Sequence, residues 1–127
     1  MRVFIADDSA LVRERLISML SELKEIEIVG QAQDPIEATN SILKLKPDLV
    51  ILDIRMPGGS GIDVLKRIKK NKSAPVVIIL TNYLYPQYRK KCKEIGAEFF
   101  FDKSSEFEKV TEVLRKFVRD SERGIDD

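Results

Sequence analysis

Five short apolar runs alternate with five amphipathic stretches along this chain, and that alternation limits the fold more than any other feature. The runs are residues 3–6, 27–32 (centred on Ile28 and Val29), 49–52, 76–80 and 98–101. Residues 49–52, Leu-Val-Ile-Leu, carry no polar interruption, as expected of a strand covered on both faces. After the first run Val12, Leu16, Met19, Leu20 and Leu23 recur at spacings of three and four, which gives one apolar helical face. Ile62, Leu65 and Ile68 repeat the pattern after the third run, and Val110, Val113, Leu114, Phe117 and Val118 repeat it after the fifth.

Local signals punctuate these elements. Asp34-Pro35-Ile36-Glu37 opens the second helix with a capping residue, a proline suited to the first turn and an acid able to bond back. Lys46-Pro47 closes it, because a residue before proline disfavours helical backbone. Met56-Pro57-Gly58-Gly59 reads as a turn, and Ser60-Gly61-Ile62-Asp63 as a second capping box. The fourth helix is expected over 86–94, stopping before Gly96, and the fifth from about Ser105 with Glu108 as its capping partner. One domain is expected over residues 1–120, followed by a polar tail, 121–127, that frays. Strand and helix in strict alternation with short loops predict an α/β fold. It is a flavodoxin-like doubly wound five-stranded parallel sheet of order 2-1-3-4-5 with five helices.

Composition removes many chemistries. The 127 residues include no histidine and one cysteine, Cys92. Ser–His and Cys–His nucleophile pairs, histidine-ligated zinc and internal disulfides are therefore excluded. A metal must be held by oxygen, hence a hard cation such as magnesium or calcium. The lone cysteine agrees with a reducing, cytoplasmic setting. With 22 basic and 21 acidic residues the net charge is +1, so no global field draws nucleic acid or anionic lipid. The longest apolar run has five residues, too few to cross a membrane, and Asp7 interrupts the first run before it reaches signal-peptide length.

The remaining chemistry lies at strand ends. Asp7 and Asp8 follow the first strand, Asp53 ends the third, Thr81 the fourth and Lys103 the fifth. In the order 2-1-3-4-5 those four strands are neighbours, so all five residues border one crevice, where ligands of such sheets bind. Two carboxylates about 4 Å apart repel by about 4 kcal/mol at an effective dielectric of 20. Three such pairs approach the whole stability of a domain, about 5–15 kcal/mol. The cluster therefore calls for a cation, a proton or wider spacing, and magnesium held by carboxylates, water and a phosphoryl oxygen meets that need. Asp53 stands alone on the central strand and is the expected nucleophile toward phosphorus; Asp7 and Asp8 suit the metal, Lys103 the phosphoryl oxygens and Thr81 a hydroxyl donor.

The whole pattern resembles the receiver domains of two-component response regulators. The resemblance covers about residues 2–118. It rests on Asp7-Asp8, on Asp53 followed by Met56-Pro57 and Gly61, on Thr81, and on Phe100 three residues before Lys103. It implies a phosphorylation-activated switch in which Asp53 is the phosphoacceptor and Mg2+ is bound by Asp7, Asp8, Asp53 and the backbone carbonyl of Arg55. Thr81 and Phe100 resemble the switch pair that reshapes the surface of helix four, strand five and helix five, with Lys103 contacting the phosphoryl group. The implied partners are a histidine kinase or phosphotransfer protein (or a small acyl phosphate as donor), an output partner the sequence does not specify, and a second copy on phosphorylation. The implied catalysis is confined to self-phosphorylation and autodephosphorylation. Three positions depart from the family: Asn82 where alanine or glycine is usual, Ser104 where proline is usual, and the bulky pair Arg55 and Tyr83 at positions that tune loss of the phosphoryl group. That pair predicts slow autodephosphorylation.

Plainer readings exist for each part. Asp7-Asp8-Ser9 alone suits a helix N-terminus, Thr81 a turn hydroxyl and Lys103 a solvated surface. Arg89, Lys90, Lys91 and Lys93 suit a solvated helix face, and the residues Tyr83, Leu84, Tyr85 and Tyr88 either a partner surface or packing on strand five. At the level of function the alternatives are a phosphorylation-independent interaction module on the same fold, or the receiver portion of a DNA-binding transcription regulator. A haloacid-dehalogenase-type phosphatase lacks its second aspartate, since Ile54 and Arg55 follow Asp53. In a flavin carrier Asp7-Asp8-Ser9-Ala10 would repel the cofactor phosphate.

Overall fold

All five apolar runs become strands of one parallel sheet in a computed structural model that describes the backbone of residues 1–126 and the side chains of residues 1–121. The strands are β1 (Arg2–Ala6), β2 (Glu27–Ala32), β3 (Leu49–Leu52), β4 (Val76–Thr81) and β5 (Phe99–Asp102). They lie in the order β2-β1-β3-β4-β5, as the alternation predicts. The helices are α1 (Ala10–Leu20), α2 (Pro35–Leu45), α3 (Gly61–Ile68), α4 (Pro86–Ile95) and α5 (Lys109–Asp126).

Alternate residues along each central strand feed two separate cores, because side chains on a strand point to opposite faces. Val3, Ile5, Leu49, Ile51, Ile78 and Leu80 pack with Leu16 and Leu20 of α1 and Val110 and Leu114 of α5. Phe4, Ala6, Val50, Leu52 and Ile79 pack with Ile42 of α2, Val64, Leu65 and Ile68 of α3 and Cys92 of α4. The three consecutive phenylalanines split the same way: Phe99 and Phe101 join the first core and Phe100 the second. Every residue of β3 is buried, so the centre of the sheet is pinned from both sides and its ends are held in register.

Side-chain caps start three helices. Ser9 Oγ accepts the Val12 N–H at 3.2 Å, Asp34 Oδ1 the Glu37 N–H at 2.8 Å, and Ser60 Oγ the Ile62 N–H at 3.1 Å. Each satisfies a backbone donor that the first helical turn leaves unpaired.

Several boundaries differ from expectation. β5 is shifted one residue toward the C-terminus, covering Phe99–Asp102. α5 begins at Lys109, not near Ser105, because Asp102 captures the preceding segment. Its carboxylate accepts the Ser104 N–H at 2.9 Å and the Ser105 hydroxyl at 2.8 Å, and Glu106 reaches back to the Asp102 N–H at 3.0 Å. The capping partnership is thus Asp102 with Glu106, and Glu108 lies in the turn before the helix. At the other end α5 spans Lys109–Asp126; the tail expected over 121–127 falls almost wholly outside the residues whose side chains are described. The turn at 56–59 is a small antiparallel ribbon pairing Arg55–Met56 with Gly59–Ser60, where Gly58 takes φ +88°.

Candidate functional site

The carboxyl ends of β1, β3, β4 and β5 bring the predicted residues around one cleft. Asp7 and Asp53 are only 3% and 4% exposed, and Thr81 is fully buried. Lys103 Nζ lies 2.8 Å from Asp7 Oδ2 and 2.6 Å from Asp53 Oδ2. Asp8 is exposed at the rim, yet one carboxylate oxygen from each of Asp7, Asp8 and Asp53 lies within 4.8 Å of the others. The cleft, about 400 Å³, is lined by Asp8, Asp53, Arg55, Asn82, Tyr83 and Lys103 among others.

The local backbone explains why these groups hold still. Asp7 Oδ1 accepts the Ser9 N–H at 2.9 Å, tying the first acid to the start of α1. Asp53 Oδ1 accepts the Ile54 N–H at 2.7 Å. Behind Asp53, the Gly61 N–H donates to the Ile54 carbonyl at 2.5 Å, and a Cβ on Gly61 would fall well inside van der Waals contact of the Asp53 carbonyl oxygen. Only glycine allows the chain entering α3 to pass so close to the strand end. On the far side the Lys103 N–H donates to the Thr81 carbonyl at 2.9 Å, which holds the base of the lysine against β4.

Two carboxylates share one ammonium and a third, from Asp8, lies beside them, so the cluster holds more negative than positive charge. Burial pushes the Asp7 carboxyl above its ordinary range; the hydrogen bonds from Lys103 and the Ser9 N–H oppose that shift, and the nearby Asp53 charge adds to it. Burial pulls Lys103 down, but hydrogen bonds and charge from Asp53 and Asp7 outweigh it and hold the ammonium above its ordinary value. The acids therefore want more positive charge than Lys103 supplies. The donor set is oxygen only and converges within a few ångströms, which suits a hard cation; magnesium, content with one or two carboxylates plus water, fits better than calcium, which takes six to eight oxygens.

The other predicted residues are placed as follows. Thr81 Oγ1 accepts the Tyr83 N–H at 3.1 Å. Phe100 is half-buried against the α4 side of the sheet, with the Arg89 guanidinium 4.5 Å from its ring centre. Arg55 stacks over Tyr83 at 4.2 Å on the cleft rim. Two contacts escaped the sequence reading: Arg89 over Phe100, and the Ser104 hydroxyl donating to Asn82 Oδ1 at 3.0 Å. A signal for the second existed, since both residues directly follow strand-end site residues on adjacent strands whose register pairs Thr81 with Asp102.

Comparison with known proteins agrees with this geometry. The family model for the response regulator receiver domain matches residues 3–115. The chain is 36% identical over 118 residues to an uncharacterized transcriptional regulatory protein, YvfU, of Bacillus subtilis, covering 93% of this chain and 59% of that protein. It is 38% identical over 121 residues to a protein-glutamate methylesterase/protein-glutamine glutaminase of Carboxydothermus hydrogenoformans, covering 93% of this chain and 35% of that one. Among solved structures, the response regulator domain of Thermotoga maritima CheB superposes with a TM-score of 0.81 at 31% identity, covering 94% of each chain. The chain spans 22% to 59% of the length of such curated relatives. An acidic pocket at the sheet's carboxyl edge, the predicted strand order and the match over 3–115 lead to one conclusion: this chain belongs to the response regulator receiver domains, the phosphorylation-activated signalling domains of two-component systems.

Proposed function

We propose that Asp53 is the phosphoacceptor of this receiver domain, and that Asp7, Asp8, Asp53 and the Arg55 carbonyl hold the magnesium ion. The observation that carries the reading is the sharing of Lys103 by two almost fully buried carboxylates with a third in reach. Magnesium, when bound, offsets the carboxylate charge and polarises the phosphoryl oxygens. An Asp53 oxygen attacks phosphorus; the new P–O bond forms as the bond to the donor's leaving group breaks, and that electron pair departs with the donor. Lys103 shifts from carboxylate oxygens to the incoming phosphoryl oxygens, as a mobile point charge can. Positioning and charge supply nearly all the catalysis in such a transfer.

Phosphorylation adds close to two negative charges and new acceptor oxygens. Thr81 then gives up the Tyr83 N–H and donates to a phosphoryl oxygen, and Phe100 turns into the space beside it. The surface of α4, β5 and α5 changes with them, at a coupling of about 1–3 kcal/mol. Leu84 and Tyr85, 40% and 52% exposed, lie just ahead of α4 on that surface. Receiver domains work with histidine kinases and output domains; here the donor is a histidine kinase, a phosphotransfer protein or an acyl phosphate, in the cytoplasm. The output, whether transcriptional or enzymatic as in the named relatives, lies with a partner or with further chain. Among the described residues no helix is long and apolar enough to cross a membrane.

Acetyl phosphate with magnesium tests the reading: intact-mass analysis gives one added phosphoryl group, lost in Asp53→Asn. An unmodified wild-type protein supports the phosphorylation-independent module instead. The Arg55–Tyr83 stack shields the acyl phosphate from water, so its lifetime shortens several-fold when both residues become alanine; an unchanged lifetime removes that role.

A further inference from the structure

One polar side chain on the cleft wall has no part in the mechanism so far. Asn82 follows Thr81 at the end of β4, is exposed, and lines the same cleft as Asp8, Asp53 and Lys103. Its Oδ1 accepts the Ser104 hydroxyl at 3.0 Å. Ser104 is itself fixed, because its N–H donates to Asp102 Oδ1 at 2.9 Å and the adjoining Lys103 N–H donates to the Thr81 carbonyl at 2.9 Å. A carboxamide is planar, with oxygen and NH2 on opposite sides of one carbon, so engaging the oxygen restricts the amide and leaves the NH2 as its donor end. Among the described residues the Asn82 amide nitrogen has no protein acceptor.

We propose that Asn82 is a further binding residue for the phosphoryl group, donating an N–H to one of its oxygens, and that Ser104 is the positioning residue that aims it. The inference rests on Asp53 being the phosphoacceptor. A neutral amide adds a charge-assisted hydrogen bond to the anion without a second ammonium that would compete with the metal for the carboxylates. A side chain that merely narrowed the cleft would have the opposite effect on rate, since shortening it would then speed the reaction.

The test compares the wild type with Asn82→Ala, Asn82→Asp, Ser104→Ala, Ser104→Thr and the double alanine variant. The readouts are kcat/KM for acetyl phosphate at fixed magnesium, and the affinity for beryllofluoride, a phosphoryl mimic, by fluorine NMR. Asn82→Ala is expected to lose roughly tenfold in both. Asn82→Asp loses more, because its carboxylate repels the anion. Ser104→Ala falls between wild type and Asn82→Ala, Ser104→Thr restores wild-type values, and the double variant is no worse than Asn82→Ala alone. A faster Asn82→Ala, or one with undiminished beryllofluoride affinity, overturns the donor role. Fully additive losses in the double variant overturn the positioning role of Ser104. Wild-type protein that leaves Asp53 unlabelled overturns the parent reading along with this one, whereas a labelled wild type with an unslowed Asn82→Ala overturns this one alone.

Discussion

The two ends of the sheet handle charge in opposite ways. At the amino end the buried approaches to the strands hold their charges with hydrogen bonds and an ion pair. Arg2 donates from Nη1 to the carbonyls of Leu45 and Lys46 at 2.7 and 3.0 Å, and its N–H donates to Asp48 at 2.7 Å. Lys69 meets Glu98 at 2.5 Å and the Pro75 carbonyl at 2.7 Å, while the other Glu98 oxygen accepts the Val77 N–H at 2.6 Å. Those groups tie the end of α3 to β4 and the approach to β5. At the carboxyl end two buried acids and an exposed one crowd a single lysine. Charge that is balanced within the protein holds a fold together; charge that is left over makes a binding site.

Removing the shared cation breaks this contrast most. Without metal, Lys103→Met leaves Asp7 and Asp53 buried and unpaired and costs about 3 kcal/mol in denaturant unfolding; magnesium recovers a larger part of that loss than it adds to the wild type. A loss independent of magnesium contradicts the pocket's need for a cation.

Gly61→Ala comes next, at about 2 kcal/mol, since the new methyl must displace the Asp53 carbonyl. It also slows phosphoryl uptake, because the backbone carrying the nucleophile moves. Unchanged stability and uptake would show that the close approach to Asp53 is not structurally required.

Asp7→Asn is expected to stabilise the metal-free protein at neutral pH. The sign follows from linkage: the folded-state carboxyl sits above its ordinary range, so the folded protein binds that proton more tightly than the unfolded chain. Stability from Asp7 is present below the unfolded value, is lost as pH rises through the folded value, and stays lost above it. Metal-free thermal melts of both proteins across that acid range isolate the Asp7 part as their difference, which grows in the variant's favour as pH rises; no difference contradicts it. Lys103 has the same sign at the other end of the pH scale: its contribution is full at neutral pH and is lost only as strongly alkaline pH passes its raised value.

The smallest effect belongs to the other end of the sheet. Glu98→Gln costs about 1 kcal/mol, as expected of a pair whose carboxylate side is 37% exposed and keeps a hydrogen-bonding amide in its place, and leaves phosphoryl uptake unchanged. Slower uptake there would mean the two ends are coupled.

Much of this arrangement is written locally. Apolar runs that end in acids, a hydroxyl and a lysine place those groups at strand ends, and the alternation sets the strand order that gathers them. The cap residues Asp34 and Ser60 were equally readable, although neither Glu37 nor Asp63 is seen to bond back to its cap. What sequence could not supply depends on competition across space. Asp102 takes Ser104 and Ser105 for its own turn and so delays α5 to Lys109, although Ser105 and Glu108 have the spacing of a capping box. Arg55 over Tyr83 and Arg89 over Phe100 join residues 28 and 11 positions apart, at 4.2 and 4.5 Å, and no periodicity encodes such stacks.

The most direct measurement is to locate the acceptor. Protein treated with acetyl phosphate and magnesium is reduced with borohydride, which converts an aspartyl phosphate to homoserine, and is then mapped by peptide mass spectrometry. The account predicts conversion at residue 53 alone, dependent on magnesium and abolished by a chelator. Conversion at Asp7 or Asp8, or none at any residue, contradicts it.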